Sequence, residues 1–531
     1  DGGALLDEQG RLTAGQGGAI EVAGNAVHGI DGATLQAHGL TDGGSLSLGA
    51  ERVQIGGIDQ GDGALRLSED HFQQGGFARH EVNGLQRLSV ADGARHTARV
   101  SQRELAQGAS ARPSGSPLDS VAPVVLKDPT LRPAVTLALS AGDAAAGTGE
   151  LRVGQGARVE VDPGSRIGLT ARNAIDIQGE VAARGGRIDV TLDRSGGFVS
   201  GSPDTNTLWL GSNARLDASG IAQTFSNDQG RTEGRVLQGG TVNLTARTGY
   251  VVAEQGAQVN VSGSAPVTVV SAGASGQRTE SVAGSGGQVN LFAEEGILFD
   301  GSFVAQGGSS DQQGGSLSVT LSKNARLEGQ TGFDAVARTM VLANTVAPAT
   351  AGLSPGDAVP LVGEERARLG TNALEAAGFE QLRFASRDGI VLADGLVLGD
   401  ASASGLREIT LDAARIESTG RSSLRADAVR LGNNDASNRG RLGTEGTSAT
   451  AGELNVEGRL VELAGNLRLQ GMGRSEFTGT EAVRVAGVTR TDAQGRLEHT
   501  ATVESTGDLL LRGGVVAPTT YATTTLRATG R

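Results

Sequence analysis

The sequence predicts an all-β protein built as a parallel β-helix, a solenoid in which the strands of successive turns stack into long parallel sheets. Glycine accounts for 84 of the 531 residues, whereas aromatic residues make up only 3%. Hydrophobic residues still make up 37%, so small and β-branched aliphatic side chains must fill the core. Short runs of alternating apolar and polar residues recur along the chain, and such runs are typical of strands with one buried face.

The recurring unit is a glycine pair followed by an alternating run. TVNLTA follows Gly239-Gly240, and a second strand phrase, GAQVNVSG, follows from Gly256. One unit takes roughly 20 to 28 residues, a length typical of solenoid repeats. Because so short a unit buries its apolar face only by stacking on its neighbours, we expect about 20 to 25 turns and a rod on the order of 100 Å long. We expect glycines at corners with positive φ. The inward side chains of this unit are predicted to be Val242, Leu244, Val259 and Val261.

Two segments break the repeat and are predicted to leave the solenoid. The first begins with residues 68–82, where a short helix is predicted to end at Gly75-Gly76. It continues as an extended stretch over 101–135 with five of the twelve prolines. The second combines three prolines with the helix-like GTNALEAAGFE. Since loops on a rigid scaffold usually carry function, these excursions are the predicted sites of specificity. The predicted boundaries are solenoid turns at 1–67, 136–342 and 380–531, with excursions at 68–135 and 343–379.

Charge and composition exclude several classes of partner. A net charge of −13 with only two lysines, Lys127 and Lys323, argues against a nucleic-acid partner. The absence of cysteine excludes a disulfide framework and a thiolate metal site. No run of about 18 apolar residues is present, so no transmembrane helix is predicted. The sequence starts at Asp1 without a signal peptide, and we expect it to be a portion of a longer protein.

No constellation of catalytic residues stands out, so the sequence predicts no enzymatic activity, no cofactor and no metal. No two histidines have metal-ligand spacing; His71 and His80, which flank the predicted first helix, are interpreted as surface or packing residues. Ser285 in AGSGGQ has no histidine near it in sequence, so we interpret it as a turn residue. The calcium-binding nonapeptide is also missing. The six histidines are His28, His38, His71, His80, His96 and His499.

Polysaccharide binding or cleavage is the alternative that the residues leave open. Trp209 and Tyr250 are the candidate ligand-binding residues because aromatic rings stack on sugars, although Trp209 fits a core-capping role equally well. Several acidic residues are spaced about one turn or more apart and would supply acid and base if they shared a face. Outward strand positions are polar in any β-helix, however, so such residues are also expected without catalysis. The acidic residues are Asp189, Asp193, Asp217, Glu254 and Asp300.

Three stretches resemble the filamentous haemagglutinin-like exoproteins, the large secreted partners of two-partner secretion systems in Gram-negative bacteria. They are GGTVNLTARTGYVVAEQGAQVNVSG at 239–263, GGFVSGSPDTNTLWLGSNARLDASG at 196–220 and GDLLLRGGVVAPTTYATTTL at 507–526. The Gly-Phe breaks GGFARHEVNGL and AAGFEQLRFASRDGI add to the resemblance, which covers most of the chain.

The resemblance implies a right-handed β-helical rod that is exported through an outer-membrane transporter. It implies a secreted or cell-surface adhesin that attaches to host-cell glycans, matrix glycans or other cells and promotes aggregation or biofilm formation, with self-association as a further option. The stalk of a contact-dependent toxin is an alternative within the same resemblance. The family's secretion domain carries Asn-Pro motifs, and no NPN occurs in this sequence. No catalytic residue carries over from the family.

Overall fold

A computed structural model provides the structure of this chain. It describes residues 5–6, 12–25, 27, 30, 33–58, 61–113, 115–143, 148–193, 205–227, 230–247, 249–273, 276–322, 336–361, 363–399, 405–418, 420–434, 442–443, 451–491 and 496–530.

Three parallel sheets, which we call A, B and C, surround a common core, and most of the chain visits them in that order. In one plain turn, strand Arg166–Ala171 lies in sheet A, Ala174–Ile177 in sheet B and Glu180–Ala182 in sheet C. Each strand pairs in parallel with the strand one turn later, as Arg166 does with Arg187 in sheet A. The all-β class and the parallel β-helix predicted from the alternating runs are confirmed.

Each sheet is built from strands that succeed one another along the chain. Sheet A contains Ala19–Ala23, Thr136–Ala141, Arg166–Ala171, Arg187–Asp193, Thr241–Arg247, Gln288–Ala293, Gly315–Leu321, Phe379–Ser386, Glu408–Asp412 and Ala428–Asn433. Sheet B contains Leu65–Leu67, Glu150–Val153, Ala174–Ile177, Thr207–Leu210, Tyr250–Ala253, Gly296–Phe299, Thr339–Ala343, Glu365–Gly370, Gly389–Leu392, Arg415–Ser418, Leu497–Ser505 and Thr523–Ala528. Sheet C consists of two separate stacks. The first contains Arg95–Ala98, Arg158–Val161, Glu180–Ala182, Arg215–Asp217, Gln258–Asn260 and Ser302–Val304, and the second begins with Val397–Leu398 and Arg421–Arg425.

Longer strands turn a corner and serve two or three sheets. The two that serve sheets A and B are Gly44–Ile55 and Phe77–Val90. Those that serve sheets C and A are Met472–Ala486 and Asp508–Pro518, and Gly452–Gln470 serves all three. The antiparallel partners are Leu5–Leu6 with Leu12–Ala14, Gln102–Arg103 with Val124–Val125, Ile221–Ser226 with Thr232–Leu237, Val267–Gly273 with Gly276–Val282, and Val488–Thr491 with Leu497–Ser505. The helices are the 3-10 turns His71–Gln73 and Ala109–Ala111 and the α-helices Leu118–Val121 and Thr371–Ala376.

Sheet A stacks fifteen strand segments in the described part of the chain, fewer than the predicted 20 to 25 turns. At a strand spacing near 4.8 Å, this stack is roughly 70 Å long. Plain turns have the predicted length, since Ala428 stands 20 residues after its partner Glu408. Other turns are much longer, because Thr241 stands 54 residues after its partner Arg187. The predicted turn number was too high because insertions lengthen many turns.

The core consists of columns of aliphatic side chains that run along the solenoid. One column of sheet A joins Leu137, Ile167, Ile188, Val242 and Val289, which occupy equivalent positions in successive turns and are all buried. Burial of each such side chain contributes about 1.5 to 3 kcal/mol. The other three residues predicted to point inward, Leu244, Val259 and Val261, are also buried, so the alternation identified the core face correctly.

The glycine pairs mark positions where successive turns approach each other too closely for a side chain. A Cβ at Gly240 would lie 2.1 Å from the carbonyl oxygen of Gly186, and one at Gly287 would lie 2.0 Å from that of Gly240. Neither Gly240 nor Gly287 has a positive φ, whereas Gly185, the residue before Gly186, has a φ of 59°. Close backbone contact between turns therefore requires glycine at Gly240 and Gly287. The predicted positive φ is found at other glycines of the repeat, such as Gly185 and Gly256.

Replacing Gly240 with alanine is expected to lower the free energy of unfolding by about 3 kcal/mol, the upper end of the usual range for overpacking, because backbone atoms of the neighbouring turn must move to admit the methyl group. Gly168→Ala is the matched control, since Gly168 lies in a sheet A strand and a Cβ there meets no atom within 4 Å. Denaturant titration of both variants measures the difference. Equal stability of the two variants would contradict the close-contact explanation.

The predicted excursion boundaries shift in the structure. Phe77–Val90 and Arg95–Ala98 lie in the solenoid, so the first insertion is confined to 99–135. The predicted helix over 68–82 is only the 3-10 turn His71–Gln73, because the alternating run from Phe77 extends sheet A instead. In the second excursion, strand Glu365–Gly370 returns into sheet B and pairs with both Gly296–Phe299 and Thr339–Ala343.

Candidate functional site

Three insertions leave the solenoid at the same corner, between the end of a sheet C strand and the start of the next sheet A strand. They follow Ala98, Asp217 and Asn260 and precede Thr136, Thr241 and Gln288. We call the insertions 99–135, 219–239 and 262–286 the decorated corner. Since the turns stack in order, the decorated corner runs along one side of the rod, and it is the candidate functional surface.

The first insertion, 99–135, is tied to the rod and to itself by buried polar groups. The buried Arg103 donates from Nη1 to Asp119 Oδ1 at 2.8 Å and to the Ala122 carbonyl oxygen at 2.7 Å. Arg132 and Asp162 form an ion pair at 3.0 Å, with both side chains almost fully buried. Burial raises the pKa of Asp162 and lowers the pKa of Arg132. In both cases the opposite charge of the partner acts in the other direction, but its effect is smaller. A buried pair that loses one member is strongly destabilised, so these contacts hold the insertion in place.

The second and third insertions are antiparallel hairpins that continue the same layer. In the first hairpin, Ile221–Ser226 pairs with Thr232–Leu237, and the buried Gln223 donates from Nε2 to the Pro129 carbonyl oxygen at 3.3 Å. The second hairpin, Val267–Gly273 with Gly276–Val282, lies beside the first. The three insertions therefore contact each other in sequence along the corner.

Trp209 and Tyr250 point outward from sheet B but lie under the second excursion. Both side chains are 1% exposed and pack with Val252 and Leu298 beneath Val359, with Leu353 and Leu361 at the edge of the cluster. Trp209 also donates from Nε1 to Glu254 Oε1 at 2.6 Å. Since a sugar-stacking platform needs an exposed ring face, this geometry places the two rings in a small secondary core, and the core interpretation of Trp209 fits it.

The second excursion is held over this cluster by Asp300. One oxygen of its carboxylate, Oδ2, accepts hydrogen bonds from the backbone N–H of Ala349 at 2.8 Å and from the backbone N–H and hydroxyl of Thr350 at 2.7 and 2.6 Å. Sequence reasoning found Asp300 and Trp209 but not their connection, because the cover comes from a segment that lies some 50 residues further along the chain. The second excursion thus builds a structural cover over sheet B.

The acidic residues considered for glycan cleavage do not share one face. Asp189 and Asp193 lie in sheet A, Asp217 lies in sheet C, and Glu254 and Asp300 follow adjacent strands of sheet B. Each one pairs with an arginine or accepts hydrogen bonds: Asp189 from Arg166 and Arg187, Asp193 from Arg247, Asp217 from Arg184, Glu254 from Trp209, and Asp300 from Thr350. These contacts give the five carboxylates roles in holding turns and loops together.

The histidines near the first insertion surround Phe72, which the 3-10 turn inserts into the core. The ring of Phe72 meets those of His71, His80 and His96 edge-on at centroid distances of 5.4, 5.2 and 6.0 Å. Burial lowers the pKa of His80 to about 3, with a smaller contribution from His71, and burial also lowers the pKa of His96 and His38. In the described ranges, no three His, Asp or Glu residues are grouped so as to hold a metal ion. The packing interpretation fits His71 and His80, whereas His28 lies outside the described residues.

A shallow groove of about 710 Å³ continues the same corner toward the C-terminal half. It lies between the loop after Ser302–Val304 and helix Thr371–Ala376, and its polar lining includes Gln306, Ser309, Gln312, Glu375 and Glu380. Ser285, interpreted from the sequence as a turn residue, lies close by and donates its hydroxyl to Gln312 Oε1 at 3.1 Å. Hydroxyls, amides and carboxylates of this kind hydrogen-bond sugar hydroxyls.

Comparison with models of protein families, with curated proteins and with solved structures finds no match for this chain. Within the described part of the chain, none of the helices combines the length and the apolar character that crossing a membrane requires.

Proposed function

We propose that this chain is the rod of a secreted or cell-surface adhesin of a Gram-negative bacterium, exported by an outer-membrane transporter of a two-partner secretion system. The carrying observation is that the solenoid presents three insertions along one side, the decorated corner, and fixes the first of them with the buried ion pair of Arg132 and Asp162 and with the buried Arg103. A rigid scaffold that holds surface loops in place is the architecture that binding proteins use. In this proposal the corner contacts host-cell glycans, matrix glycans or other cells, and attachment leads to aggregation or biofilm formation.

Replacing the first insertion with a plain corner is expected to abolish most attachment while the rod stays folded. The turn after Val161 provides the template, because only the four residues 162–165 connect sheets C and A there. The variant replaces 101–134 with this four-residue turn and carries Asp162→Asn, so that the loss of Arg132 leaves no unpaired buried charge. Binding of the purified rod to cells is expected to fall at least about tenfold, equivalent to about 1.4 kcal/mol.

Shortening the second-insertion hairpin at the exposed Gly230 is the comparison variant, because it removes residues from the same corner and so distinguishes the first insertion from the rest of the decorated corner. Circular dichroism and electron microscopy check that both variants remain β-rich rods. Unchanged attachment by the first variant would remove the first insertion from the binding surface, and a compact globule in micrographs of the wild type would contradict the rod itself.

Polysaccharide binding is the second candidate, and the hydroxyl, amide and carboxylate side chains in the groove beside helix Thr371–Ala376 favour it. Glycan-array binding separates it from the first, since Gln312→Ala should then reduce a glycan signal that the first-insertion variant leaves intact. The location of the groove away from the first insertion makes the two candidates independent.

A further inference from the structure

Exposed aliphatic side chains concentrate in the first insertion. Six of the thirteen exposed large hydrophobic residues in the described part of the chain lie there or on the adjoining hairpin, each between 41% and 67% exposed. Contiguous exposed apolar surface is uncommon on monomers and marks interaction sites. We call these residues the apolar patch: Leu105, Leu118, Val124, Leu126, Leu131 and Phe225.

The hydrogen bonds of the insertion bring the apolar patch together. Gln102–Arg103 pairs with Val124–Val125, and the backbone N–H of Ala106 donates to the Val121 carbonyl oxygen at 2.9 Å. These bonds bring the segment that contains Leu105 against the segment that contains Leu118 and Val124. The bond from Gln223 to Pro129 brings the hairpin of Phe225 next to the segment of Leu131.

The insertion reverses the usual distribution of polar and apolar side chains. Gln102, Arg103 and Arg132 are buried, whereas four leucines of the same segment are exposed. Arginine is almost never buried unless paired, and here the pairs with Asp119 and Asp162 compensate its burial. The buried polar contacts fix a backbone that presents leucines to solvent, and such preorganisation lowers the entropy lost on binding.

The chemistry of the patch selects a protein surface as its partner. Five of the six side chains are leucine or valine, which offer no aromatic face for sugar stacking, and Phe225 is the single ring. Nucleic-acid binding needs clustered basic side chains, and none of the six residues of the patch is charged. Exposed acidic side chains of Glu104, Asp119 and Asp128 stand among the bases Arg112 and Lys127, so the patch lacks the excess of basic residues that attracts an anionic membrane.

Charge further favours a second copy of this chain. The whole chain carries a net charge of −13, so two rods repel each other along most of their length. The segment 99–134 carries five basic and three acidic residues, of which Arg103 and Arg132 are buried in ion pairs, so this segment does not share the net negative charge of the chain. Because it holds apolar side chains and charges of both signs, the patch supplies its own complement, as a two-fold symmetric contact requires.

We propose that two copies of this chain associate side by side through the apolar patch, with each patch packed on the other. In this arrangement the leucines of one copy cover those of its partner, and exposed acids of one copy face bases of the other. Side-by-side pairing leaves the remainder of both solenoids free. The dimer contact and the proposed attachment both use the first insertion, but association of the purified chain is measured without cells or glycans, so failure of one proposal is distinguishable from failure of the other.

Sedimentation equilibrium of the full chain between about 1 and 100 µM, the range of micromolar affinity, tests this. The wild type is expected to show a reversible monomer–dimer equilibrium, and Leu126→Asp with Leu131→Asp should weaken it at least tenfold. Val397→Asp is the control, since Val397 is an exposed residue of sheet C outside the patch; it should dimerise like the wild type. Circular dichroism confirms that all three are folded.

A wild type that stays monomeric over this range would overturn the proposal, as would a double variant that dimerises as strongly as the control. Flotation with vesicles of mixed zwitterionic and anionic lipids provides the remaining comparison. A monomeric wild type that binds these vesicles, with binding lost in the double variant, would assign the patch to a lipid surface instead.

Discussion

Replacing Arg338 with alanine is expected to lower the free energy of unfolding by about 3 to 5 kcal/mol, the range for breaking a buried ion pair by removing one partner. Arg338 is fully buried, and its Nη2 donates to Glu295 Oε2 at 2.6 Å. Its Nε and Nη1 donate to the carbonyl oxygens of Glu294 and Val336, both at 2.8 Å. The substitution leaves the buried Glu295 carboxylate without this charge partner.

The backbone of Arg338 extends the effect to a neighbouring turn. Its N–H donates to Asp388 Oδ2 at 2.7 Å, and its carbonyl oxygen accepts from the Ser386 hydroxyl at 2.7 Å. Arg338 therefore joins segments near 294, 336 and 387 at the corner between sheets A and B. Loss of its side chain should loosen all three, and hydrogen exchange of their amides reports it.

Two further variants show how much of the loss in stability comes from the unpaired buried charge and how much from the lost side-chain contacts. The double variant Arg338→Met with Glu295→Gln removes both charges and is expected to be clearly more stable than Arg338→Ala, because no unpaired charge remains. Arg368→Ala breaks the exposed pair with Glu365 and should change stability by less than about 1 kcal/mol. If Arg338→Ala is no more destabilising than Arg368→Ala, the pair does not hold the corner.

Local alternation predicted the parts of the fold that depend on local sequence. The runs TVNLTA and QVNLFA identify strands and their inward faces, because a strand buries every second residue whatever the distant partner is. Val242 then pairs with Val289, and Leu244 with Leu291, because successive turns stack with equivalent positions of the repeat next to each other. The glycine pairs correctly located the start of sheet A strands. The close backbone contact that requires glycine at Gly240 and Gly287 was not predicted, because it is visible only when the turns are stacked.

The features that sequence reasoning missed come from contacts between distant segments. Nothing near Trp209 indicates that Val359 covers it, and nothing near Arg132 indicates that Asp162 pairs with it. Turn counting failed for the same reason, because insertions of unpredictable length separate neighbouring strands. His80 did carry a local signal: in ARHEVNGL it stands two residues before the inward Val82, which places it on the core face.

His80 makes the structure sensitive to acid, and His80→Leu is expected to remove most of this sensitivity. In the core column of sheet A, His80 stands between Leu46 and Leu137, so leucine restores the aliphatic pattern. Its neighbours are Phe72, Phe77 and His71, and none of them is an acid that favours its charged form. The folded protein therefore keeps His80 neutral, with a pKa of about 3.

The sign of the effect follows from proton binding. The unfolded chain has a histidine pKa near 6.5 and binds a proton that the folded chain rejects, so the contribution of His80 to stability is complete above about pH 6.5 and falls as pH decreases toward 3. The full loss is roughly 4 to 5 kcal/mol at about 1.4 kcal/mol per pKa unit. Between pH 6.5 and 4.5, the wild type should lose about 2 kcal/mol more than His80→Leu, because the unfolded histidine is already half protonated at pH 6.5.

Denaturant titrations at these two pH values measure the difference, and amide exchange of the strand Phe77–Val90 shows whether the loss is local to this turn. The control is His499→Gln, because His499 is exposed and hydrogen-bonds Thr489 at the surface; this variant should keep the pH dependence of the wild type. His96 also has a pKa lowered by burial, so His80→Leu with His96→Leu should flatten the profile further. Parallel profiles for the wild type and His80→Leu would show that the core column tolerates a charged histidine, which its closed aliphatic and aromatic surroundings argue against.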